Sequence, residues 1–228
     1  MARASDGILG NFTGKLGKVS ARIVDGDTIY SLRPAHYKIS SEPKLVETRQ
    51  KFAVTIAFAS KVAALQTLND IWKLNKEPKL SAFNVITRHN FNLSSALSPT
   101  LNNIITPNGF ETPVTTAAIA SGKLTGALAA LNTLLTIPSN AVNLSINAVI
   151  SLSDPKSSRD PFFKVIPVSK EEVNFVFNKT YNFQIDFSID NAAAVAAYNQ
   201  KFIYLAIAMK SANDQILKYS KSYALISN

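Results

Sequence analysis

The chain of 228 residues contains no cysteine and only two histidines, His36 and His89. The absence of cysteine excludes disulfides, thiolate nucleophiles and cysteine-ligated zinc. Neither histidine has a second potential ligand three or four residues further along, which is the spacing of helical zinc motifs. We therefore interpret both as surface or capping residues and expect no metal site.

Recognisable catalytic and phosphate-binding motifs are also missing. There is no Gly-x-Ser-x-Gly nucleophile elbow. The glycine-rich stretch at residues 7–18 fits neither the dinucleotide fingerprint nor the P-loop, so we interpret its glycines as points of close backbone approach. Asp25 and Asp27 flank a turn glycine but lack the further ligands of a calcium loop. Glu171 and Glu172 would suit a paired-carboxylate site, which no motif supports. We predict a non-enzyme with no cofactor and no catalytic residue.

No apolar run is long enough to span a bilayer. The most apolar stretch, residues 127–137, contains Asn132 and two threonines and falls well short of the roughly 20 residues that a membrane helix needs. Residues 1–6 include one arginine, but the apolar segment of a signal peptide does not follow it. We expect synthesis in the cytoplasm without a signal peptide, and no membrane partner.

What the chain does contain is enough apolar material for a core and an uneven positive charge. Hydrophobic residues make up 46% of the sequence, which is typical of a globular protein and too high for a disordered one. The formal net charge is +9. Residues 1–90 hold 14 basic and 7 acidic residues, so +7 of that charge lies in the first part of the chain. A basic surface of this kind suits nucleic acid, an acidic partner or simple solvation.

Residues 19–33 are predicted to form a two-stranded hairpin that turns at Asp25 and Gly26. In this register Ala21 lies opposite Tyr30, and one face of the hairpin is apolar. Two strands alone are marginally stable in water, so this face needs a cover from the chain or from a neighbouring molecule. With the apolar residues of the preceding stretch, it gives the predicted partner-binding set of Ile8, Leu9, Phe12, Leu16, Val19, Ile23, Tyr30 and Leu32.

The other face of the hairpin is mixed and basic. The predicted contacts to an anion or to nucleic acid are Lys15, Lys18, Arg22 and Arg33. A two-stranded ribbon can enter a major groove of DNA. However, Asp25 and Asp27 lie at the tip of the ribbon, and no aromatic residues alternate with the basic ones to stack on single strands. Nucleic-acid binding therefore stays an alternative to protein binding.

The apolar spacing after residue 43 predicts one helix of some thirty residues that continues until Pro78. Its apolar stripe is formed by Val54, Phe58, Val62, Leu65, Leu68 and Trp72. A second, short helix is predicted over residues 79–90. In the Ser/Thr/Pro-rich middle, residues 114–120 are predicted to form a strand and residues 127–135 have a helical composition.

The last third of the chain has the patterns of β-strands. Residues 142–150 and 181–189 alternate between apolar and polar side chains, which predicts strands with one buried face. Residues 202–209 are apolar throughout and predict a central strand. Residues 173–177 and 216–226 predict two more strands. Several short strands separated by turns favour a small antiparallel β-sandwich of immunoglobulin-like type.

The predicted fold class is therefore α+β, with an N-terminal β-hairpin and long α-helix followed by the immunoglobulin-like sandwich. We expect three parts: a ribbon and long-helix docking module over residues 1–95, a connecting segment with a short strand and helix over residues 96–140, and a β-sandwich domain over residues 141–228.

Four short motifs in this order resemble a domain-of-unknown-function family from Bacteroidetes. They are residues 7–19 (Gly-Ile-Leu-Gly-x-Phe-x-Gly-Lys-x-Gly-x-Val), Arg33-Pro34, residues 49–52 (Arg-Gln-Lys-Phe) and residues 81–84 (Ser-Ala-Phe-Asn). Members of that family open with a Gly-Lys-Val-Gly-type ribbon, continue with a Gln-x-x-Arg-x-x-Phe helix and end in a β-sandwich. Here residues 24–27 (Val-Asp-Gly-Asp) replace the aromatic-Lys-Gly turn of many relatives.

The resemblance implies no activity and brings no catalytic residues with it. In length and layout, members of the family are similar to small phage- or prophage-associated structural proteins. We predict a non-enzymatic structural or assembly protein of a multi-subunit particle, a phage virion among them, which docks onto identical or different protein subunits through its N-terminal ribbon and helix. The alternative is an accessory protein that binds nucleic acid through the basic ribbon.

Overall fold

The computed structural model of the chain describes residues 2–4, 13–24, 26–33 and 39–227. It divides into two compact units, residues 1–43 and 44–228. The division falls at the start of the first helix, whereas the boundary predicted from the sequence lies at residue 95. The helices belong with the β-sandwich because their apolar sides are buried against one of its sheets.

The first unit is a four-stranded antiparallel sheet, in which the predicted hairpin is flanked by two further short strands. The strands are β1 (Ala2–Ala4), β2 (Gly14–Leu16), β3 (Val19–Val24) and β4 (Asp27–Leu32), in the order β1-β4-β3-β2. The predicted register is confirmed, since Ala21 pairs with Tyr30 and Val24 pairs with Asp27. Asp25 lies outside the described residues.

The second unit confirms the α+β class and is built in three layers. Its helices are α1 (Pro43–Ala64), α2 (Gln66–Leu74), α3 (Ala82–Phe91) and α4 (Ile189–Ala196). Its strands are β5 (Val114–Ala120), β6 (Lys123–Leu128), β7 (Asn143–Pro155), β8 (Phe163–Glu172), β9 (Tyr181–Asp186), β10 (Tyr198–Lys210), β11 (Ile216–Tyr219) and β12 (Tyr223–Ser227). Both of its sheets are antiparallel: β11-β10-β7-β8, with β12 also paired to β10, and β5-β6-β9.

The two sheets of this unit pack face to face and form the predicted β-sandwich. Alternate residues of β7, among them Leu144, Ile146 and Ile150, meet Leu124 and Phe183 of the three-stranded sheet in one buried cluster. The opposite face of the five-stranded sheet is covered by the first three helices in a second cluster. The central strands β7 and β10 are therefore buried on both faces.

The predicted long helix is two helices, because the chain bends by 102° between α1 and α2. Leu65 lies at the bend in an extended conformation. A straight helix over residues 43–74 would be about 48 Å long at 1.5 Å per residue, far wider than a sheet of four or five strands at about 4.8 Å spacing. The bend lets Phe58 on α1 and Trp72 on α2 share one core. The Trp72 indole Nε1 donates to the carbonyl of Ile105 at 2.8 Å.

Four other predicted elements differ in the structure. Residues 127–135 are not a helix; they hold the end of β6 and a single 3-10 turn at Leu131–Thr133. Residues 173–177 form a turn after the ten-residue strand β8. The strand predicted over residues 181–189 ends at Asp186, where α4 soon begins, and residues 216–226 form two strands rather than one.

Among the described residues no single helix is long and apolar enough to cross a membrane, although α1 and α2 pass that test as a bent pair.

Candidate functional site

The apolar face of the N-terminal sheet carries the described part of the predicted partner-binding set. Register places Leu16 beside Val19, and Val19 beside Leu32, on the face that Ala21 and Tyr30 also share. Leu32 is 81% exposed, and Leu16 and Ile23 are 57% and 45% exposed. Val19 and Tyr30 are half-buried. Ile8, Leu9 and Phe12 lie outside the described residues.

The opposite face of the same sheet brings the predicted basic residues together. Lys15 pairs with Ser20, which pairs with Ser31, so Lys15 and Arg22 lie on the face away from the leucines. The backbone N–H of Arg33 donates to the carbonyl of Lys18 at 2.7 Å, which holds these two residues side by side. All four basic residues are exposed.

Two glycines of this sheet, Gly14 at the start of β2 and Gly17 in the turn after β2, adopt a backbone conformation that favours glycine. Gly17, between β2 and β3, has a φ of +57°, and Gly14 has a φ of +122°. A Cβ on either glycine would meet no atom of the described chain within 4 Å. Within the described chain no other backbone approaches Gly14 or Gly17, and the approach of another subunit's backbone stays a prediction; the positive φ that glycine tolerates is a sufficient reason for both residues. Gly7 and Gly10 lie outside the described residues.

A second surface lies on the helices. The apolar stripe predicted for docking is used inside the chain, because Val54, Phe58 and Val62 are buried. The exposed side of α1 forms a groove with α3 of about 540 Å³, which is lined by Phe52 and Phe91 among others. Their rings meet edge to face at 6.4 Å, and the Lys51 Nζ lies 5.2 Å from the Phe91 ring centroid.

A network of polar side chains is hydrogen-bonded where α2 meets the five-stranded sheet. The Glu171 Oε1 atom accepts from the Ser145 hydroxyl at 2.5 Å and from the Lys210 Nζ at 3.0 Å. The Thr67 hydroxyl lies 3.1 Å from the Ser145 Oγ and 3.4 Å from the same carboxylate oxygen. The Asn147 Nδ2 donates to the Ser145 Oγ at 2.9 Å. Four different elements are thus joined at one carboxylate.

This network is also the floor of a cleft of about 380 Å³. Ser145, Asn147 and Thr67 are buried, and Lys210 is only 9% exposed. Burying a lysine is costly unless a carboxylate pairs with it, and Glu171 supplies that charge. Charge-assisted hydrogen bonds join β7, β8 and β10 at Glu171, and the Thr67 hydroxyl links α2 to them, while the cleft stays open to solvent.

Glu172 belongs to a different cluster from its neighbour Glu171, because successive strand residues face opposite sides of a sheet. Tyr181 of β9 donates a hydrogen bond to Glu172, and the Lys170 Nζ lies 2.8 Å from it. Burial raises the pKa of the Glu172 carboxyl, but the hydrogen bonds from Lys170 and Tyr181 outweigh burial and hold the pKa below its usual 4.5. The two glutamates therefore do not form a paired-carboxylate site.

Of the two histidines, His89 lies within the described residues, and its ring packs against an aromatic side chain. The ring of His89 lies 5.3 Å from the ring of Trp72, centroid to centroid, at the end of α3. Within the described ranges, no group of three or more metal-ligating side chains is present. His36 lies outside them.

Sequence reasoning missed the polar network entirely. The alternation of Ser145 and Asn147 with leucine and isoleucine has period two and predicts that both face solvent, whereas both are buried. Two features of the sequence are consistent with this network. Polar residues alternate along the strand, and the helix that covers it has polar residues at 66, 67 and 70.

A search of known family models finds no match to this chain, and no curated protein matches it. Among solved structures, a DUF3823 family protein from Bacteroides ovatus matches with 14% sequence identity and a TM-score of 0.29. The match covers 49% of this chain and 50% of that one, so the chain spans half the length of the matched structure.

Two buried serines on the same face of β7 test the energetic role of the network. Ser145 is hydrogen-bonded, whereas the buried Ser151 hydroxyl has no partner in the described structure. We expect Ser145→Ala to lower the free energy of unfolding by about 1–3 kcal/mol, because Asn147 and Glu171 lose a partner. The matched control Ser151→Ala should change it by less than about 0.5 kcal/mol or raise it, because it removes a buried group that forms no bond.

Urea denaturation followed by circular dichroism measures both changes. Equal losses in the two variants would show that the network contributes nothing beyond the buried hydroxyl itself.

Proposed function

We propose that this protein is a non-enzymatic assembly component that docks onto protein subunits through the apolar face of its N-terminal sheet. The observation that carries the proposal is the exposure of Leu16, Ile23 and Leu32 on one face of a four-stranded sheet. Burying a leucine or isoleucine side chain is worth about 1.5–3 kcal/mol. Three such side chains on one small face therefore favour association.

The architecture of the sheet supports the same conclusion. Both edge strands, β1 and β2, are only three residues long. Short edges discourage strand-to-strand pairing with another chain. The apolar face is thus the better route to a partner than the sheet edges. The groove at Phe52 and Phe91 offers a further apolar surface of the kind that protein interfaces use.

We infer that the setting is a multi-subunit particle, with a phage virion as the favoured case. This inference rests on the resemblance in length and layout that the sequence motifs carry. The partner subunit is another copy of this chain or a different protein of the same particle.

The docking face is tested by Leu32→Ser combined with Ile23→Ser in the full chain. Sedimentation velocity over a hundredfold range of protein concentration should show association in the parent protein and its loss in the double variant. The matched control is Lys15→Ser with Arg22→Ser on the opposite face, which should associate like the parent.

A second experiment tests the same proposal on the protein in its natural source. Cross-linking mass spectrometry of the protein in its source should join residues 13–33 to another subunit. A chain that is monomeric at every concentration, and whose residues 1–40 cross-link only to itself in the source, would contradict the proposal.

The register of the basic residues favours nucleic-acid binding as the second candidate function. Lys15 and Arg22 lie on the face opposite the leucines, and Lys18 and Arg33 are held side by side at the end of the same sheet. If all four neutralise phosphates of duplex DNA, the logarithm of the binding constant should fall with the logarithm of salt concentration with a slope of about −3.6.

Fluorescence anisotropy with a labelled duplex at several salt concentrations measures that slope. Replacing the four residues by serine should abolish binding, while the Leu32→Ser and Ile23→Ser double variant should leave it intact. Absence of any anisotropy change at low salt would remove this candidate and leave the assembly proposal untouched.

A further inference from the structure

The cleft above the polar network has the composition of a binding site. Residues from α2, β7, β8 and β10 and from the turn after β10 line it. Its carboxylates are Asp70, Glu171 and Asp214, and its one lysine is Lys210. The formal charge of the lining is therefore −2, in a protein whose total charge is +9. The cleft thus has the opposite sign to the whole molecule.

The hydrogen bonds in the floor of the cleft fix which atom Asn147 offers to a ligand. An ionised Glu171 can only accept, so Ser145 must donate its single hydroxyl hydrogen to it at 2.5 Å. Ser145 is then an acceptor for Asn147, which turns the amide nitrogen Nδ2 toward it at 2.9 Å. The other amide atom, Oδ1, accepts no hydrogen bond from the described residues, although Asn147 is 1% exposed and lines the cleft.

Asn147 as a whole is 1% exposed, and its Oδ1 faces the open cleft, where solvent can donate to it. A ligand that displaces this solvent must bring a hydrogen-bond donor, because the oxygen would otherwise be left unpaired. Amide orientation is often ambiguous, but here the carboxylate and the serine together decide it.

Two further acceptors line the same cleft. All the hydrogen bonds to Glu171 reach Oε1, and Oε2 receives none within the described part of the chain. The Asp214 carboxylate, on an exposed turn residue, likewise accepts no hydrogen bond there. Asp70 is different, because Lys73 and Gln66 each donate to one of its oxygens at 2.7 Å.

From this pattern we propose that the cleft binds a primary ammonium group. An ammonium has three donors and no acceptor, and the Asn147 Oδ1, the Glu171 Oε2 and the Asp214 carboxylate are three acceptors without a protein partner. The formal charge of the lining is −2, or −1 when the Lys73 ammonium bonded to Asp70 is counted, and this negative charge favours a cation. Val173 and Ile216 provide apolar lining for the methylene groups that follow the ammonium.

A free alkylamine and the lysine side chain of a partner protein share this chemistry. Chemical-shift titration of the 15N-labelled full chain distinguishes them with n-butylamine, Nα-acetyl-lysine amide and the neutral isostere n-butanol. Both amines, or n-butylamine alone, should shift the amides of Asp70, Asn147 and Asp214, and n-butanol should not. Binding of n-butylamine alone assigns the site to a free amine, and binding of both admits a lysine side chain.

Asp214→Asn removes one acceptor charge with little risk to the fold, because asparagine tolerates the φ of +58° that this residue adopts. It should weaken amine binding about tenfold. The matched control is Asp154→Asn, also at a φ of +58° but outside the cleft, which should change binding less than twofold.

Three results would overturn the proposal: no shift with either amine up to 100-fold excess over protein, equal binding of n-butanol and n-butylamine, or equal weakening by the two aspartate variants. None of these depends on whether the N-terminal sheet docks onto another subunit.

Discussion

Burial of the five-stranded sheet on both faces is the constraint on which the second unit depends. One face of β7 and β10 packs on the three-stranded sheet and the other packs under α1, α2 and α3. In a strand with two buried faces, most polar side chains must find a partner inside the protein, and in β7 Ser151 is the described exception. The network at Ser145 and Glu171 is how β7 meets this demand next to α2. The same demand is met elsewhere on that face by Ser153, which donates to Gln200 at 2.8 Å.

The double burial also explains the shape of the helical layer. Helices that cover a narrow sheet must be short or bent, and the chain bends at Leu65 to bring Phe58 and Trp72 into one cluster. Tyr204 shows how tightly the layers are joined. Its ring meets Phe58 edge to face at 5.1 Å, and its hydroxyl donates to the carbonyl of Thr100 at 2.6 Å. Burial raises the pKa of this hydroxyl, so it remains a donor.

Much of this fold could be predicted from the sequence, and the errors have one physical origin. Local patterns predicted the hairpin register at Ala21, the central strand at residues 202–209 and the α+β class. They could not show what covers the second face of a strand. The alternating pattern therefore places the serines and asparagine of β7 toward solvent, and the absence of proline and glycine predicts a straight helix through Leu65. Both errors concern contacts between elements distant in sequence.

The candidate sites also differ in whether local sequence patterns could predict them. Pattern alone predicted the apolar and basic faces of the N-terminal sheet, because two-residue alternation decides which side chains share a face. The cleft that we propose binds an ammonium group could not be predicted from the sequence, since Thr67, Asn147 and Lys210 come from three separate elements. The structure thereby separates two surfaces: a leucine-bearing sheet in the first unit, and a negatively charged cleft in the second. The helices, predicted as part of the docking module, instead belong to the core of the second unit.

Native-state hydrogen exchange read by mass spectrometry tests the double burial most directly. If α2 is part of the core, amides in residues 66–74 and in residues 143–155 should open with the same free energy and lose protection together as urea is added. If α2 were a peripheral docking element, residues 66–74 would exchange at a much lower free energy while β7 stayed protected. That result would contradict the account.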